Sequence, residues 1–388
     1  PKKTDQDFID LLFLTLDIAK ETQKRLKQDL DNTDKLMDKK AIAQAMPYTN
    51  LCRLSLEFFK YSKEHEKLYT KLILETIKAW NEQQTDGFDK EFCVFSLSAT
   101  EQLLLKGYFN EAKDVLQLSN NILTQTCIEP SPILSYYMEL QARTQLFIDC
   151  DDKAKNLPFI DKSSLSISPP KFSLDTSYEL MNNAIDHLKR SNNNEFEPIL
   201  GSKLLYTLSS IQILHGEIEE GFKNLSRCFK LMEIEETKDG FTCFPEKIPK
   251  ELLETFGNSL ILSAGLFSHF NQLEKSKKYY EYACKILTFD RTTVGEGDHM
   301  EQIVDTKKRY YQIEKCLLNL IDIQRSIIAD NPSKENQTIL ANYQKHIRNI
   351  HQQVKNTEVN ESTLIDVYKG SLFKSGPNIS KYIEMALQ

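Results

Sequence analysis

The chain has 388 residues, which is long enough for two or three domains or for one extended array of repeats. It contains only 12 glycines and 12 prolines, and it lacks the alternating runs of Val, Thr and Tyr that predict strands. Its formal net charge of -7 excludes a grip on nucleic acid or an anionic membrane by the charge of the whole protein. The composition therefore predicts an all-α protein in which any basic surface is local.

Eight cysteines are spread along the chain without a CxxC pair. Disulfide frameworks belong to short, cysteine-rich extracellular chains, so we expect free thiols in a reducing compartment. The apolar runs are shorter than the roughly 18 residues that a membrane-spanning helix needs, and the charged start PKKTDQD lacks the apolar core of a signal peptide. These features predict an intracellular protein, cytoplasmic or nuclear, without membrane insertion.

The first part of the chain predicts a helical lead-in (1–46) followed by a helical hairpin. Pro47 suits the first turn of a helix, because its missing N–H has no partner to lose there. Apolar positions from Leu51 to Phe59 and from Leu68 to Trp80 then form two buried faces, and a charged segment separates them. This order of helix, short polar turn and helix is typical of a hairpin.

Three later stretches share one pattern of small residues across a turn. In each stretch, a glycine or asparagine at the turn is followed five positions later by a small residue. The pairs are Gly107 with Ala112, Gly216 with Gly221, and Asn271 with Ser276. Small side chains let two helices approach closely, and larger ones fill the grooves beside them. The pattern resembles the tetratricopeptide repeat (TPR), and the spacing of the three stretches fits units of about 34 residues separated by insertions.

Two insertions interrupt this array, at 151–172 and at 234–249, and both contain prolines. Between them, residues 173–190 predict one more second helix, and its first helix is predicted at 132–148. We expect TPR-like helical repeats over 47–289 and a C-terminal helical cap or bundle over 300–388.

The TPR resemblance implies a right-handed α-solenoid whose first helices line a concave groove, where partners bind as peptides or helices. In this register the groove residues are Glu101, Tyr206, Ser210, Ile213, Ile261 and Ser268. The groove is neither strongly basic nor rich in Asn and Arg, so a clamp for a terminal carboxylate is not implied. The resemblance favours a protein–protein interaction scaffold or adaptor.

The sequence contains no set of residues that predicts catalysis or a cofactor. The seven histidines offer no pair at the i,i+3 or i,i+4 spacing with which a helix binds a metal ion. The glycine-rich segment 295–299 lacks the Lys-Ser or Lys-Thr of a phosphate-binding loop, so we expect a flexible loop there. Motifs of nucleophilic and metal-dependent hydrolases are also missing, and we expect a non-enzymatic protein without a metal or cofactor.

One helix near the C-terminus combines basic and aromatic residues. Its basic residues are Lys307, Lys308, Arg309, Lys315 and Arg325, and Tyr310 and Tyr311 follow the first three. Phosphate contacts together with base stacking on aromatic rings would bind nucleic acid. The alternative is that both tyrosines pack inward while the basic side chains are solvated.

Two further functions stay open beside the scaffold. An architectural subunit of a large multiprotein assembly would use the convex faces, the loops between repeats and the caps. A nucleic-acid-associated helical-repeat protein would use the helix over 307–325 and would bind in a salt-sensitive manner. Separately, Ser168 precedes Pro169 in the first insertion and is a candidate phosphorylation site, where a phosphate would meet Lys162 or Lys171.

Overall fold

The computed structural model of the protein describes a set of ranges that cover most of the predicted helices. These are residues 9–21, 48–56, 58–59, 65–82, 89–126, 130–150, 174–191, 198–237, 240–242, 248, 250–288 and 299–356. Helices dominate these ranges, which confirms the all-α prediction. The chain divides into two compact units, one of Pro1–Ile148, Asp186–Ser191 and Val359–Gln388, and one of Asp149–Ile185 and Asn192–Glu358. The domain boundaries expected from the sequence stay predictions.

The first unit is built from helices of three to five turns. They are α1 (residues 9–21), α2 (48–56 and 58–59), α3 (Glu66–Asn81), α4 (Asp89–Leu105), α5 (Phe109–Thr126) and α6 (Pro132–Cys150). The predicted hairpin of α2 and α3 is formed, and aromatic contacts tie it to α4. The Trp80 ring lies 6.4 Å from the Tyr48 ring and 5.5 Å from the Phe92 ring, measured between centroids. Helices α4 and α5 pack as the next hairpin.

The second unit continues the series of helices. They are α7 (Asp175–Ser191, whose last turn belongs to the first unit), α8 (Pro198–His215), α9 (Ile218–Leu231), α10 (Lys250–His269), α11 (Leu273–Thr288), α12 (His299–Asp330) and α13 (Lys334–Asn356). Helices α8 and α9, α10 and α11, and α12 and α13 pack as pairs. Successive pairs also touch. Helix α8 contacts α10, and α11 contacts α12. Gln312 of α12 also donates a hydrogen bond to Asn258 of α10 at 2.9 Å.

The turn is the same in all three stretches that share the sequence pattern. Gly107, Gly216 and Asn271 have positive φ angles of 83°, 94° and 58°. In each case the next residue donates its N–H to the carbonyl oxygen five positions earlier, a bond that closes the end of a helix. These bonds are Tyr108 to Leu103 at 2.9 Å, Glu217 to Gln212 at 2.8 Å, and Gln272 to Phe267 at 2.8 Å. The three hairpins therefore share one backbone geometry at the turn.

The small residue after each turn lies where the two helices of the hairpin meet. Ala112 and Ser276 have no exposed surface, and the Ser276 hydroxyl donates to the Ala264 carbonyl oxygen at 2.7 Å. At Gly221 an added Cβ would lie 2.6 Å from Ile213 Cγ1. Real Cβ atoms do not approach other heavy atoms so closely, so α8 and α9 meet at a distance that only glycine allows.

A helix end with an unfavourable residue offers a stabilising substitution. Glu233 ends α9 with a φ of 57°, in the left-handed region where a side chain is strained. Because its side chain is exposed, we expect Glu233→Gly to raise the free energy of unfolding by about 0.5–1 kcal/mol. Thermal unfolding followed by circular dichroism checks this. Glu219→Gly, inside the first turn of α9, is the control and should lower stability; a drop for both variants would contradict the prediction.

The second insertion, at 234–249, contains a short antiparallel ribbon of β1 (Glu236–Thr237) and β2 (Gly240–Phe241). The Tyr279 hydroxyl of α11 donates to the Glu236 carboxylate at 2.8 Å, and Lys278 lies 3.6 Å from the same group. Burial and the bond to Glu236 raise the pKa of Tyr279 above its ordinary value, so its hydroxyl stays a donor. The Phe241 ring lies 5.0 Å from the Tyr279 ring. The start of this insertion is therefore anchored on α11.

The thiol of Cys228 on α9 contacts both α8 and α10, and we expect it to make the stability of the protein depend on pH. Its Sγ lies 3.5 Å from the Ser202 carbonyl oxygen of α8 and 3.8 Å from the Ser259 hydroxyl of α10. Burial raises the pKa of this thiol from 9.0 to about 12. Above pH 9 the unfolded chain releases this proton while the folded chain keeps it, so rising pH favours unfolding. The stabilising contribution is complete below pH 9 and is lost as the pH approaches about 12.

Urea unfolding at several pH values from 8 to about 11 checks this dependence. We expect the free energy of unfolding to fall less steeply with pH in Cys228→Ala than in the wild-type chain, whatever the absolute stability of the variant. Equal slopes for the two proteins would show that the thiol does not contribute.

Candidate functional site

A cluster of charged side chains lies between α4 and α6 in the first unit. Arg143 makes a two-pronged ion pair with Glu139, with Nε 3.1 Å from Oε1 and Nη2 3.1 Å from Oε2. The same guanidinium lies 3.8 Å from the carboxylate of Glu101. The exposed fractions of these side chains are 2% for Glu139, 12% for Glu101 and 21% for Arg143. The cluster is largely buried but reaches the surface at Glu101 and Arg143.

The sequence places the members of this cluster by helical spacing and by helix pairing. Glu139 and Arg143 are four residues apart on α6 and therefore lie on one face, and Tyr136 lies one turn before Glu139 on the same face. Glu101 comes from α4, so α4 and α6 meet at this point. Glu101 was expected to line the groove, whereas Glu139 and Arg143 were not predicted as site residues. The sequence signal that could have identified them is a pair of opposite charges four residues apart in an otherwise apolar helix.

Burial and neighbouring charges shift the pKa values of Arg143 and Tyr136. Burial alone lowers the pKa of Arg143, but the carboxylates of Glu139 and Glu101 outweigh it and hold that pKa above its ordinary value. Burial, followed by the charge of Glu101, raises the pKa of Tyr136 well above its ordinary value. The carboxylate of Glu101, which is less buried than that of Glu139, would attract an added cationic group such as an ammonium or guanidinium.

A second feature is an open cleft in the second unit, between the turn from α10 to α11 and the last turns of α12. It consists of two adjoining cavities of about 580 and 370 Å³, which share Asn271, Leu273 and Asp330. Ser268, expected to lie in the groove, is half-buried and lines the smaller cavity. Phe270 at the turn is 53% exposed. The cleft is shallow, with a lining of mixed polarity, and it suits contact with a protein surface better than enclosure of a small molecule.

The other residues expected to line the groove lie on α8 and α10. Tyr206 is half-buried, and Ser210 is buried and donates to the Tyr206 carbonyl oxygen at 3.0 Å. Ile213 and Ile261 are 1% and 0% exposed and belong to the hydrophobic core. Most of α8 is buried, because its apolar residues surround the helix and do not form one stripe. Tyr206 and Ser268 therefore have the side chains that a partner could reach, and partner binding there stays a prediction.

The basic and aromatic residues of α12 are described in part. The backbone of Lys307, Lys308 and Arg309 belongs to α12, and their side chains lie outside the described residues, as does Ser168. Tyr310 is half-buried against the core and Tyr311 is 57% exposed, so the alternative that both tyrosines pack inward holds for Tyr310 only. The Lys315 ammonium lies 5.1 Å from the Tyr311 ring, and Arg325 pairs with Asp322 at 3.2 Å.

The described ranges lack both a clustered set of metal-binding side chains and a membrane-spanning helix. Within them, no group of three or more His, Cys, Asp or Glu side chains is arranged to hold a metal ion. None of the helices in the described ranges has the length and hydrophobicity to cross a membrane. No known protein family and no curated protein sequence matches the chain.

Proposed function

We propose that the protein is a non-enzymatic protein–protein interaction scaffold, built as a right-handed α-solenoid of TPR-like hairpins with a C-terminal helical cap. Two features support this architecture. The turns at Gly107, Gly216 and Asn271 share one backbone geometry, and successive hairpins of the second unit pack against one another. Stacked hairpins create long surfaces that suit extended peptides or helices of a partner.

The observation that carries the proposal is the cluster of Glu101, Glu139 and Arg143 between α4 and α6. Removing charges from water costs free energy that a well-packed apolar cluster would not cost, so such groups are weak stabilisers of a fold. The residual exposure of Glu101 and Arg143 places a charged group where a partner can contact it. We propose that a partner peptide places one lysine or arginine side chain against Glu101, while Glu139 keeps Arg143 in position.

Selection of a displayed random-peptide library on the purified chain tests this proposal. We expect the bound peptides to carry Lys or Arg at one fixed position flanked by apolar residues. Glu101→Gln, which keeps the size of the side chain and removes its charge, should abolish that preference. Asp114→Asn is the matched control, because Asp114 is an exposed carboxylate on α5 of the same unit. Selected peptides without a basic residue, or an equal effect of both variants, would overturn the proposal.

A second candidate function is an architectural subunit of a larger assembly, and the surface of α1 favours it. Leu11, Leu14 and Ile18 are 55%, 53% and 57% exposed, although the opposite face of α1 is buried through Leu12 and Leu16. An apolar stripe on both faces of a helix is typical of permanent association. Replacing Leu14 and Ile18 with serine should release stable partners in the assembly but leave peptide selection at Glu101 unchanged.

Nucleic-acid association through the helix over 307–325 stays a prediction. It would show as binding that weakens steeply with salt and is lost in the double variant Lys307→Glu, Arg309→Glu.

The six described cysteines are free and buried, which supports a reducing compartment, cytoplasmic or nuclear, for the scaffold.

A further inference from the structure

One face of α12 presents a row of five side chains, here termed the outer strip, of which four are exposed and Lys315 is half-buried. It consists of Tyr311, Lys315, Leu318, Asp322 and Arg325, separated alternately by four and three residues. Tyr311 is 57% exposed and Leu318 is 47% exposed, and the charged side chains of Asp322 and Arg325 are 75% and 61% exposed. The opposite face of α12 packs into the core through residues at most 1% exposed, namely Ile313, Cys316, Leu317 and Leu320.

The spacing of the outer strip matches the seam between two paired helices. Alternate steps of four and three residues keep side chains on one side of a helix over several turns. Tyr311 and Leu318 are one heptad apart, so the two exposed apolar groups lie in line on the strip. Single exposed apolar residues are common on protein surfaces, but two in line between charged residues indicate a docking surface.

The order of the charges along the outer strip indicates which partner surface is complementary to it. When a second copy of α12 is placed antiparallel and centred on Leu318, Lys315 of each copy lies one residue from the position opposite Asp322 of the other, an offset of about 1.5 Å along the helix that the Lys side chain spans. In the same alignment, Tyr311 of each copy faces Arg325 of the other, which suits a cation–π contact. A parallel alignment would instead place Lys315 beside Lys315 and Asp322 beside Asp322. The strip is therefore complementary to itself in the antiparallel direction only.

We propose that the outer strip is a homodimerisation surface, at which a second copy of this chain docks its α12 antiparallel about a two-fold axis through Leu318. A two-fold interface uses the same patch on both copies, and each contact occurs twice, which is what the reciprocal Lys315 and Asp322 pairs provide. This interface is separate from the Glu101 site of the proposed function and does not depend on it. It explains why Tyr311 and Leu318 are kept on the surface.

The size of the strip predicts a weak dimer. A seam of four turns buries less than the roughly 1,000 Å² that stable interfaces need. We expect concentration-dependent association that weakens as salt screens the reciprocal pairs. The existing contacts within each copy, between Lys315 and Tyr311 and between Arg325 and Asp322, hold these side chains in place and lower the entropy cost of docking.

Sedimentation equilibrium of the full chain over a range of concentrations tests the proposal by charge reversal. Lys315→Glu and Asp322→Lys each place like charges opposite one another, and each variant alone should dimerise at least about tenfold more weakly than the wild type. An equimolar mixture of the two variants restores opposite charges at both contacts. We therefore expect the mixture to associate with an affinity close to that of the wild-type dimer, whereas neither variant does so alone.

Leu318→Asp should abolish the dimer, and Leu105→Asp is its matched control because Leu105 of α4 is also 47% exposed. Circular dichroism of each variant confirms that the helices are retained. The proposal is overturned if the wild-type chain stays monomeric at all concentrations, if the mixture associates no better than its components, or if Leu105→Asp weakens the dimer equally. Salt-sensitive binding of single-stranded RNA by a chain that stays monomeric would also overturn it.

Discussion

Replacing Arg143 with methionine is expected to lower the free energy of unfolding by about 3–5 kcal/mol, because it leaves a buried carboxylate without its cation. Glu139 is 2% exposed and receives two contacts of 3.1 Å from this guanidinium. Methionine fills a similar volume, so the loss reports the uncompensated charge more than a cavity. Urea unfolding followed by circular dichroism measures the difference between variant and wild type.

A second substitution separates charge from packing at this site. In the double variant Arg143→Met, Glu139→Gln the buried charge of Glu139 is also removed, and we expect most of the lost stability to return. Arg190→Met is the matched control, because Arg190 pairs with Asp186 at the same i,i+4 spacing but is 51% exposed. This exposed pair should contribute no more than about 0.5 kcal/mol. Equal losses for Arg143→Met and Arg190→Met would contradict the description of the cluster.

Adding one methyl group at Gly221 is expected to lower the free energy of unfolding by about 1–3 kcal/mol, although alanine favours a helix more than glycine does. The new Cβ would lie 2.6 Å from Ile213 Cγ1 and 3.0 Å from the Ser209 carbonyl oxygen. The carbonyl belongs to the backbone of α8, and the Cγ1 atom is near the root of a branched side chain. Neither can move without shifting the helix pair.

A double-mutant cycle with Ile213→Ala tests the cause of this loss. Truncating Ile213 should cost less in the Gly221→Ala background than in the wild type, because it also removes the clash. Gly257→Ala is the control, since its Cβ would meet Leu287 Cδ2 at 2.9 Å, at the end of a flexible side chain. Additive effects in the cycle, or a larger loss at Gly257 than at Gly221, would show that the helix crossing does not set the cost.

The helices and their turns could be predicted because their signals are local in sequence. The step of five residues from Gly216 to Gly221 joins the last turn of one helix to the first turn of the next, where Gly216 supplies a positive φ and Gly221 allows the two helices to approach closely. Asn271 takes the place of glycine in the third hairpin, since asparagine tolerates a positive φ. Helix periodicity likewise predicted α6 and α7 close to their observed bounds.

The candidate site could be predicted only in part, because its contacts join residues far apart in the chain. Glu101 was identified from its repeat register, but its neighbour Arg143 lies on another helix, and no local signal links the two. The burial of Ile261 could not be predicted for the same reason, because helices from several parts of the chain cover α10. The anchoring of Glu236 by Tyr279 similarly depends on a contact between distant residues.

Affinity capture of the full chain, followed by quantitative mass spectrometry, tests the scaffold function most directly. The measurement compares the wild type with Glu101→Gln and Asp114→Asn, after both variants are shown to be folded. We predict that a defined set of partner proteins is retained by Asp114→Asn and lost from Glu101→Gln, and that the bound segment of each partner carries a Lys or Arg. Partners that are retained equally by both variants would contradict the role of the Arg143 cluster, and a chain that captures no partner would contradict the scaffold function itself.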